Sequence, residues 1–233
     1  MKKVLVVAAR PDDEVLGCGA SIARHAKLGD EVHVVILAEG ATSRDQKREL
    51  ALRSSELSVL ANAAHVAKKI LGVSSLSLHD LPDNRLDTVD LLDIVKLVET
   101  HMSKVMPDIV YTHHACDVNI DHRRIHEAVV VACRPLPSQS VKTLLFFEIP
   151  SSTEWQPPSS APAFAPNWFV DISATLHLKI KALEAYRTEM RPWPHARSVE
   201  AVTHLAHWRG ASVGVEAAEV FVVGRHIVGG EIQ

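Results

Sequence analysis

A three-layer α/β sandwich on a mostly parallel sheet is the fold class the sequence predicts, and three observations predict it. Short apolar runs rich in Val, Ile and Leu alternate with longer stretches of helical periodicity, as in repeated βαβ units whose helices cover both sheet faces. Polar or acidic residues follow the first, second and fourth apolar runs, at the strand ends where open α/β sheets bind ligands. At 233 residues and 47% hydrophobic content, the chain suits one domain over residues 1–233 and leaves too little for a second core.

The first strand is read over residues 4–9, an unbroken apolar run that ends at Arg10 and Pro11 and is followed by three carboxylates, Asp12, Asp13 and Glu14. Residues 17–28 read as a helix with Ile22, Ala26 and Leu28 inward and Gly29 as its stop. Alternation over 31–37 marks the second strand, and 45–71 reads as one long helix closed by Gly72. A short third strand over 75–78 leads into the polar loop 79–85. Residues 87–105 form an amphipathic helix with Leu91, Ile94, Val95 and Val98 on one side. The fourth strand, 109–112, delivers His113 and His114 to the same sheet edge as the acids, and a helix is read over 122–133. Residues 144–149 are the fifth strand, with Glu148 near its end. The Pro- and Ser-rich segment 150–166 reads as a pocket-covering loop, since too little chain follows for a linker to a second core. A strand over 168–171, helices over 173–186 and 198–208, and a last strand over 219–225 complete the chain.

Composition excludes several function classes. A formal charge of −3 with no long basic run argues against nucleic acid or an anionic membrane as partner. The six-residue apolar run after Met1-Lys2-Lys3 is too short for a signal sequence or a membrane span. Cys18, Cys116 and Cys133 lack Cys-x-x-Cys spacing, which fits a reducing cytoplasm without a disulfide framework. Gly17 and Gly19 follow a strand, but the third glycine of a dinucleotide fingerprint is missing and the acids would repel pyrophosphate, so a nicotinamide cofactor is excluded. A serine hydrolase elbow, Gly-x-Ser-x-Gly, is also absent. Small, mildly polar ligands remain, and a homo-oligomer is compatible with all of this.

Three stretches carry a family resemblance. Ala9-Arg10-Pro11-Asp12-Asp13-Glu14 resembles the Ala-His-Pro-Asp-Asp-Glu signature of the LmbE-like (PIG-L) zinc-dependent N-deacetylases. The block from His113 to Asp121-His122 resembles the second family block, which ends in Asp-His. Arg191-Pro192-Trp193-Pro194-His195-Ala196-Arg197-Ser198, with Ala218-Glu219-Val220-Phe221, resembles the C-terminal pocket segment of members acting on sugars. The resemblance implies a Rossmann-like sandwich and hydrolysis of an N-acetyl group on an amino sugar or sugar conjugate, with zinc as cofactor.

By that resemblance Asp13 and His122 stand at two metal-ligand positions and Asp12 at the general-base position. Asp121 is a candidate for orienting a neighbouring His. His114 is assigned to catalysis and His113 to substrate, with oxyanion stabilisation as imidazolium or metal ligation open to either. Arg53, Asn84, Glu148, His195 and Arg197 are expected to face the substrate, and Asp83 is a further candidate for sugar hydroxyls. Blander readings stand beside these: Arg53 and Glu56 at three-residue spacing make an exposed helix pair worth roughly 0.2–0.5 kcal/mol, and Asp83 and Asn84 are good turn formers. Arg10 departs from the signature where the family has a metal-ligating His. A guanidinium has no lone pair to give a metal. Three explanations are open: weakened metal binding on the remaining ligands, a metal-free carbohydrate-binding relative with Arg10 in the metal's space, or an inactive version of an otherwise normal enzyme. A member turned to hydration or other amide hydrolysis is a further alternative.

Overall fold

The computed structural model describes residues 1–137 and 139–229 and has the expected architecture. Its seven strands run in the order β3-β2-β1-β4-β5-β7-β6. Strands β1 (Lys3–Ala8), β2 (Glu31–Ala38), β3 (Ser75–Leu81), β4 (Ile109–His113) and β5 (Thr143–Phe147) are parallel, whereas β7 (Ala218–His226) runs antiparallel to both β5 and β6 (Trp168–Asp171). The order reverses between β1 and β4. Ligands of open α/β sheets bind at the carboxyl ends of the strands at such a switch point, and that is where the acids after β1 and the histidines after β4 meet.

The all-apolar β1 explains why this strand is central. Val4, Leu5, Val6 and Val7 are fully buried, and their alternation feeds two cores. Val4, Val6 and Ala8 pack with residues of α1 (Asp13–Lys27), α2 (Ser54–Leu71) and α5 (Leu176–Ala185). Leu5, Val7 and Ala9 pack with α3 (Leu91–Val105) and α4 (Ile120–Ala132) on the other face. A last helix, α6 (Val199–Ala211), contributes Ala206 to a small cluster with Ala20, Ile172 and Ala217. Gly17 permits the close approach of α1 to the sheet, because a Cβ there would lie 2.4 Å from the Phe147 ring.

Several boundaries differ from the sequence reading: β3 runs on to Leu81 instead of ending at residue 78, and the helix read over 87–105 begins only at Leu91; two further differences have a clear physical reason. Helix α1 begins at Asp13, not at residue 17, so Asp13 and Glu14 occupy its first turn, where the helix dipole favours negative charge. The stretch 45–71 is helical in the α sense only from Ser54, after 3-10 turns at Thr42–Arg44 and Leu50–Arg53. Side chains take over backbone groups there: Arg85 Nη2 donates to the carbonyls of Asp45 and Gln46, and such bonds compete with helix formation.

At the far end of α1, His25 joins three elements. Its Nδ1 lies 2.8 Å from Asp30 and its Nε2 3.0 Å from the Tyr111 hydroxyl. Burial lowers its pKa below 6.5, with Asp30 opposing and Arg24 and Lys2 adding to the shift. The unfolded chain therefore takes up this proton first as pH falls through 6.5, and stability is lost from there toward the lower folded pKa. The expected result is that thermal unfolding midpoints, measured between pH 7.5 and 5, fall less steeply for His25→Gln than for the parent; parallel curves would remove His25 from the acid response.

Candidate active site

The turn between β1 and α1 is built around Asp12, whose φ of 106° lies in a region that side chains other than glycine rarely adopt. The strain is held in place from inside the protein. The Asp12 N–H donates to Glu14 Oε2 at 3.1 Å, and Tyr186 Oη donates to Glu14 Oε1 at 2.6 Å. The Asp12 carbonyl accepts from Val15 and Leu16, which starts the helix. Its carboxylate accepts from Arg197 Nη1 at 2.7 Å. Burial pushes the Asp12 pKa up to about 7, with Asp13 adding to the rise and Arg197 and Arg10 opposing it. Glu14, buried in the same turn, is pushed up to about 8.

One residue further, Asp13 faces His122 from the first turn of α4. Asp13 Oδ2 lies 3.2 Å from His122 Nε2, and Asp117 Oδ2 lies 3.2 Å from His122 Nδ1. Asp117 is fixed in turn by the Asn119 N–H and by the hydroxyls of Ser152 and Thr153. Burial works against charge on His122, but the two carboxylates outweigh it and push its pKa up to about 9. The same pairing, reinforced by Arg10, holds Asp13 well below the usual carboxylate range against its burial. His113 stacks on His122 with ring centroids 4.0 Å apart, and burial together with the charge on His122 holds it neutral.

Asp13, His113 and His122 each offer a ligand atom within 4.8 Å of the others, which makes them a possible metal site. The donor set fits a divalent ion at two positions. Asp13 Oδ1 is buried without a hydrogen-bond partner, His122 ligates through Nε2 once the ion displaces its proton, and the 3.2 Å between Asp13 Oδ2 and His122 Nε2 is close to the roughly 3.3 Å separating two ligands about 2.0 Å from a tetrahedral zinc. The third position is conditional. His113 Nε2 accepts the Ala9 N–H at 2.8 Å, and a neutral imidazole has one acceptor nitrogen, so His113 must release Ala9 to ligate. Arg10 stands beside the pair, with Nε 3.9 Å from Asp13 Oδ2 and Nη1 3.9 Å from Asp83 Oδ1.

The remaining candidates divide. Arg197 joins Asp12 directly, and its Nε donates to Ser151 Oγ. His195 supports it, since the Arg197 N–H donates to His195 Nδ1 at 3.0 Å. His114 is buried edge-on against Phe164 of the 150–166 segment, and burial lowers its pKa. An imidazolium is therefore disfavoured at both His113 and His114, and the buried charge belongs to His122. Asp121 does not orient a histidine: its two oxygens accept the N–H groups of Asn84 and Leu86 and so pin the 83–86 turn. The residue orienting His122 is Asp117. Asn84, exposed with φ 54°, is the left-handed corner of that turn. Arg53, just ahead of α2, is gripped by Asp45 and by Glu56 of the first turn of α2. Glu148 is taken by both guanidinium donors of Arg209. Asp117, Glu14 and Tyr186 were not singled out from sequence; an Asp-x-Asn pair just ahead of α4 was the one local signal for Asp117.

If Asp117 supplies the field that keeps His122 charged, Asp117→Asn lowers the His122 pKa from about 9, by roughly 1–3 as for loss of any opposite charge at such a distance. Titration of the imidazole by NMR in chelator-treated protein reads this, and an unchanged midpoint would assign the charge on His122 to Asp13 alone.

Known proteins resemble this chain in sequence and in fold. The chain is 32% identical over 156 residues to the uncharacterized deacetylase YaiS of Escherichia coli strain K12, covering 65% of this chain and 76% of that protein. It is 28% identical over 205 residues to the diacetylchitobiose deacetylase of Thermococcus kodakarensis, covering 81% and 70%. The crystal structure of the conserved protein TT1542 from Thermus thermophilus superposes with a TM-score of 0.77 at 24% identity, covering 100% of this chain and 99% of that one. The PIG-L family, described as GlcNAc-PI de-N-acetylase, matches residues 5–133, a span that holds Asp12, Asp13, His113, Asp117 and His122; the chain belongs to the PIG-L family.

Proposed function

We propose that this protein hydrolyses the N-acetyl group of an amino sugar or sugar conjugate with the help of a divalent metal, zinc in the first place. The observation that carries the reading is the placement of Asp12, a buried carboxyl whose pKa is pushed up to about 7, next to the Asp13–His122 pair. The diacetylchitobiose deacetylase among its relatives supports the substrate class.

Asp13 and His122 are the residues that would hold the ion. When bound, zinc lowers the pKa of a coordinated water to about 7 and polarises a carbonyl. The chain supplies the proton transfers. Asp12 takes the proton of the attacking water and delivers one to the departing amine, a task for which a pKa near the working pH is favourable. Arg197 holds the Asp12 carboxylate in one orientation, and the Glu14–Tyr186 bond keeps the turn beneath it from relaxing. Substrate enters past the 150–166 segment, whose Phe164 covers His114. Among the described residues no helix is long and apolar enough to cross a membrane. Cys18, Cys116 and Cys133 are free thiols, and the place of action on this reading is a reducing cytoplasm, with a small sugar as substrate.

A second reading rests on Arg10. Its guanidinium beside Asp13 adds a positive charge that repels a divalent ion, and the Ala9–His113 bond withholds the third ligand. On that reading the protein binds sugars without hydrolysing them.

The two carboxylates separate these readings when zinc titration and acetate release from N,N'-diacetylchitobiose are measured together. Asp12→Asn is expected to lower kcat about 10²–10⁴-fold with zinc binding retained, whereas Asp13→Asn loses both; equal zinc retention by the two variants would sink the assignment. Arg10→His restores a neutral imidazole, and zinc affinity and acetate release should then rise together, the latter by orders of magnitude. Lower sugar affinity with no acetate release, even in added zinc, would establish the binding-protein reading.

A further inference from the structure

A large aromatic side chain stands exposed against His195, and the proposed reaction does not use it. Trp155 is 55% exposed. Burial of an indole is among the larger apolar contributions available to a chain, so an exposed indole next to a polar site is informative where one on a plain surface is not. Trp155 stands on a tightly bonded turn. Glu154 accepts the N–H groups of Ser151 and Ser152, and Thr153, which donates to Asp117 at 2.7 Å, accepts the Ile149 N–H. The indole packs edge to face with His195, their ring centroids 5.9 Å apart. From there Arg197 leads to Asp12: its backbone N–H donates to His195 Nδ1 at 3.0 Å, and at the far end of its side chain Nη1 donates to Asp12 Oδ2 at 2.7 Å. Because His195 Nδ1 is the acceptor, its Nε2 carries the ring proton and is a donor.

We infer that Trp155 and His195 form a subsite for a second sugar ring, one residue removed from the N-acetylated unit at Asp12. The inference rests on the amino-sugar reading of the site and extends it to a di- or oligosaccharide. The chemistry is that of a pyranose: its C–H faces are apolar and pack flat on an indole, while its hydroxyls accept from a donor at the ring edge. Small-ligand sites combine an aromatic wall with a few placed polar groups in this way. An anionic group finds less here, since the Arg197 guanidinium is already taken by Asp12 and Ser151. The turn is fixed by its own hydrogen bonds, so little ordering entropy is lost when the ring docks.

The test is the ratio of kcat/KM for N,N'-diacetylchitobiose to that for N-acetylglucosamine. The parent should favour the disaccharide. Trp155→Ala should lower the ratio about tenfold, through KM, with kcat on the disaccharide within about twofold, and Trp155→Phe should recover most of the loss. A ratio left unchanged by Trp155→Ala overturns the subsite. If the parent hydrolyses neither sugar, the deacetylase reading fails and the subsite is judged by calorimetric binding of N,N'-diacetylchitobiose. Binding weakened about tenfold by Trp155→Ala and kept by Trp155→Phe supports it; no binding to the parent, or equal binding by all three proteins, overturns it.

Discussion

A histidine ring held between two buried carboxylates is the interaction on which the functional end of this protein depends. His122 is wholly buried, and an isolated imidazolium there would carry a large desolvation penalty. Asp13 on one nitrogen and Asp117 on the other reverse the balance. Each partner comes from a different part of the chain. Asp13 belongs to the first turn of α1 after β1, and Asp117 to the loop between β4 and α4. The hydroxyls that fix Asp117 come from the segment after β5. The switch point between β1 and β4 thus gathers these loops, and the buried charge ties them together.

The other acids at this edge are each settled by a different partner, and this sets them apart chemically. Asp12 is bound by the Arg197 guanidinium, Glu14 by the Tyr186 hydroxyl, and Asp121 by two backbone N–H groups. Burial raises the pKa of all three, whereas Asp13 and Asp117, paired with His122, are held low. Desolvation and a neighbouring cation act in opposite directions on a carboxylate. Side by side, Asp12 and Asp13 therefore differ in protonation and so in the work open to them, one as a proton acceptor near neutrality and the other as a permanent anion.

Arg10 enters this arrangement as a constraint from within the signature itself. Its backbone N–H donates to Asp13 Oδ2 at 3.0 Å, but its side chain brings a charge and has no lone pair to give a metal. The guanidinium settles among Asp12, Asp13, Asp83 and Asp121, and these anions keep it firmly protonated despite burial. The site is consequently closer to charge balance than a cluster of acids alone would be, and a divalent ion has less to gain there.

Much of the fold was legible because its signals are local. Alternation and helical periodicity report the surroundings of neighbouring residues, and β1, with no polar residue from Val4 to Ala9, is a strand buried on both faces in any reading. The acids behind β1 and the His-rich block behind β4 were legible too, since strand direction alone sends both to one edge. The limits of local reasoning appear at residues 45–53, where Arg85 takes the Asp45 and Gln46 carbonyls and Asp45 grips Arg53, leaving turns instead of a helix. They appear again at Asp121, whose neighbour in sequence is His122 but whose partners are the Asn84 and Leu86 amides. By itself, then, the sequence determined the sheet, its site-bearing edge and the residue types gathered there. Only the tertiary structure decided which nitrogen of His113 is spent on Ala9, which carboxylate holds His122, and that Arg197, 185 residues along the chain, closes on Asp12. Lone pairs and buried charges are assigned by distances between segments remote in the chain, and no local period encodes those distances.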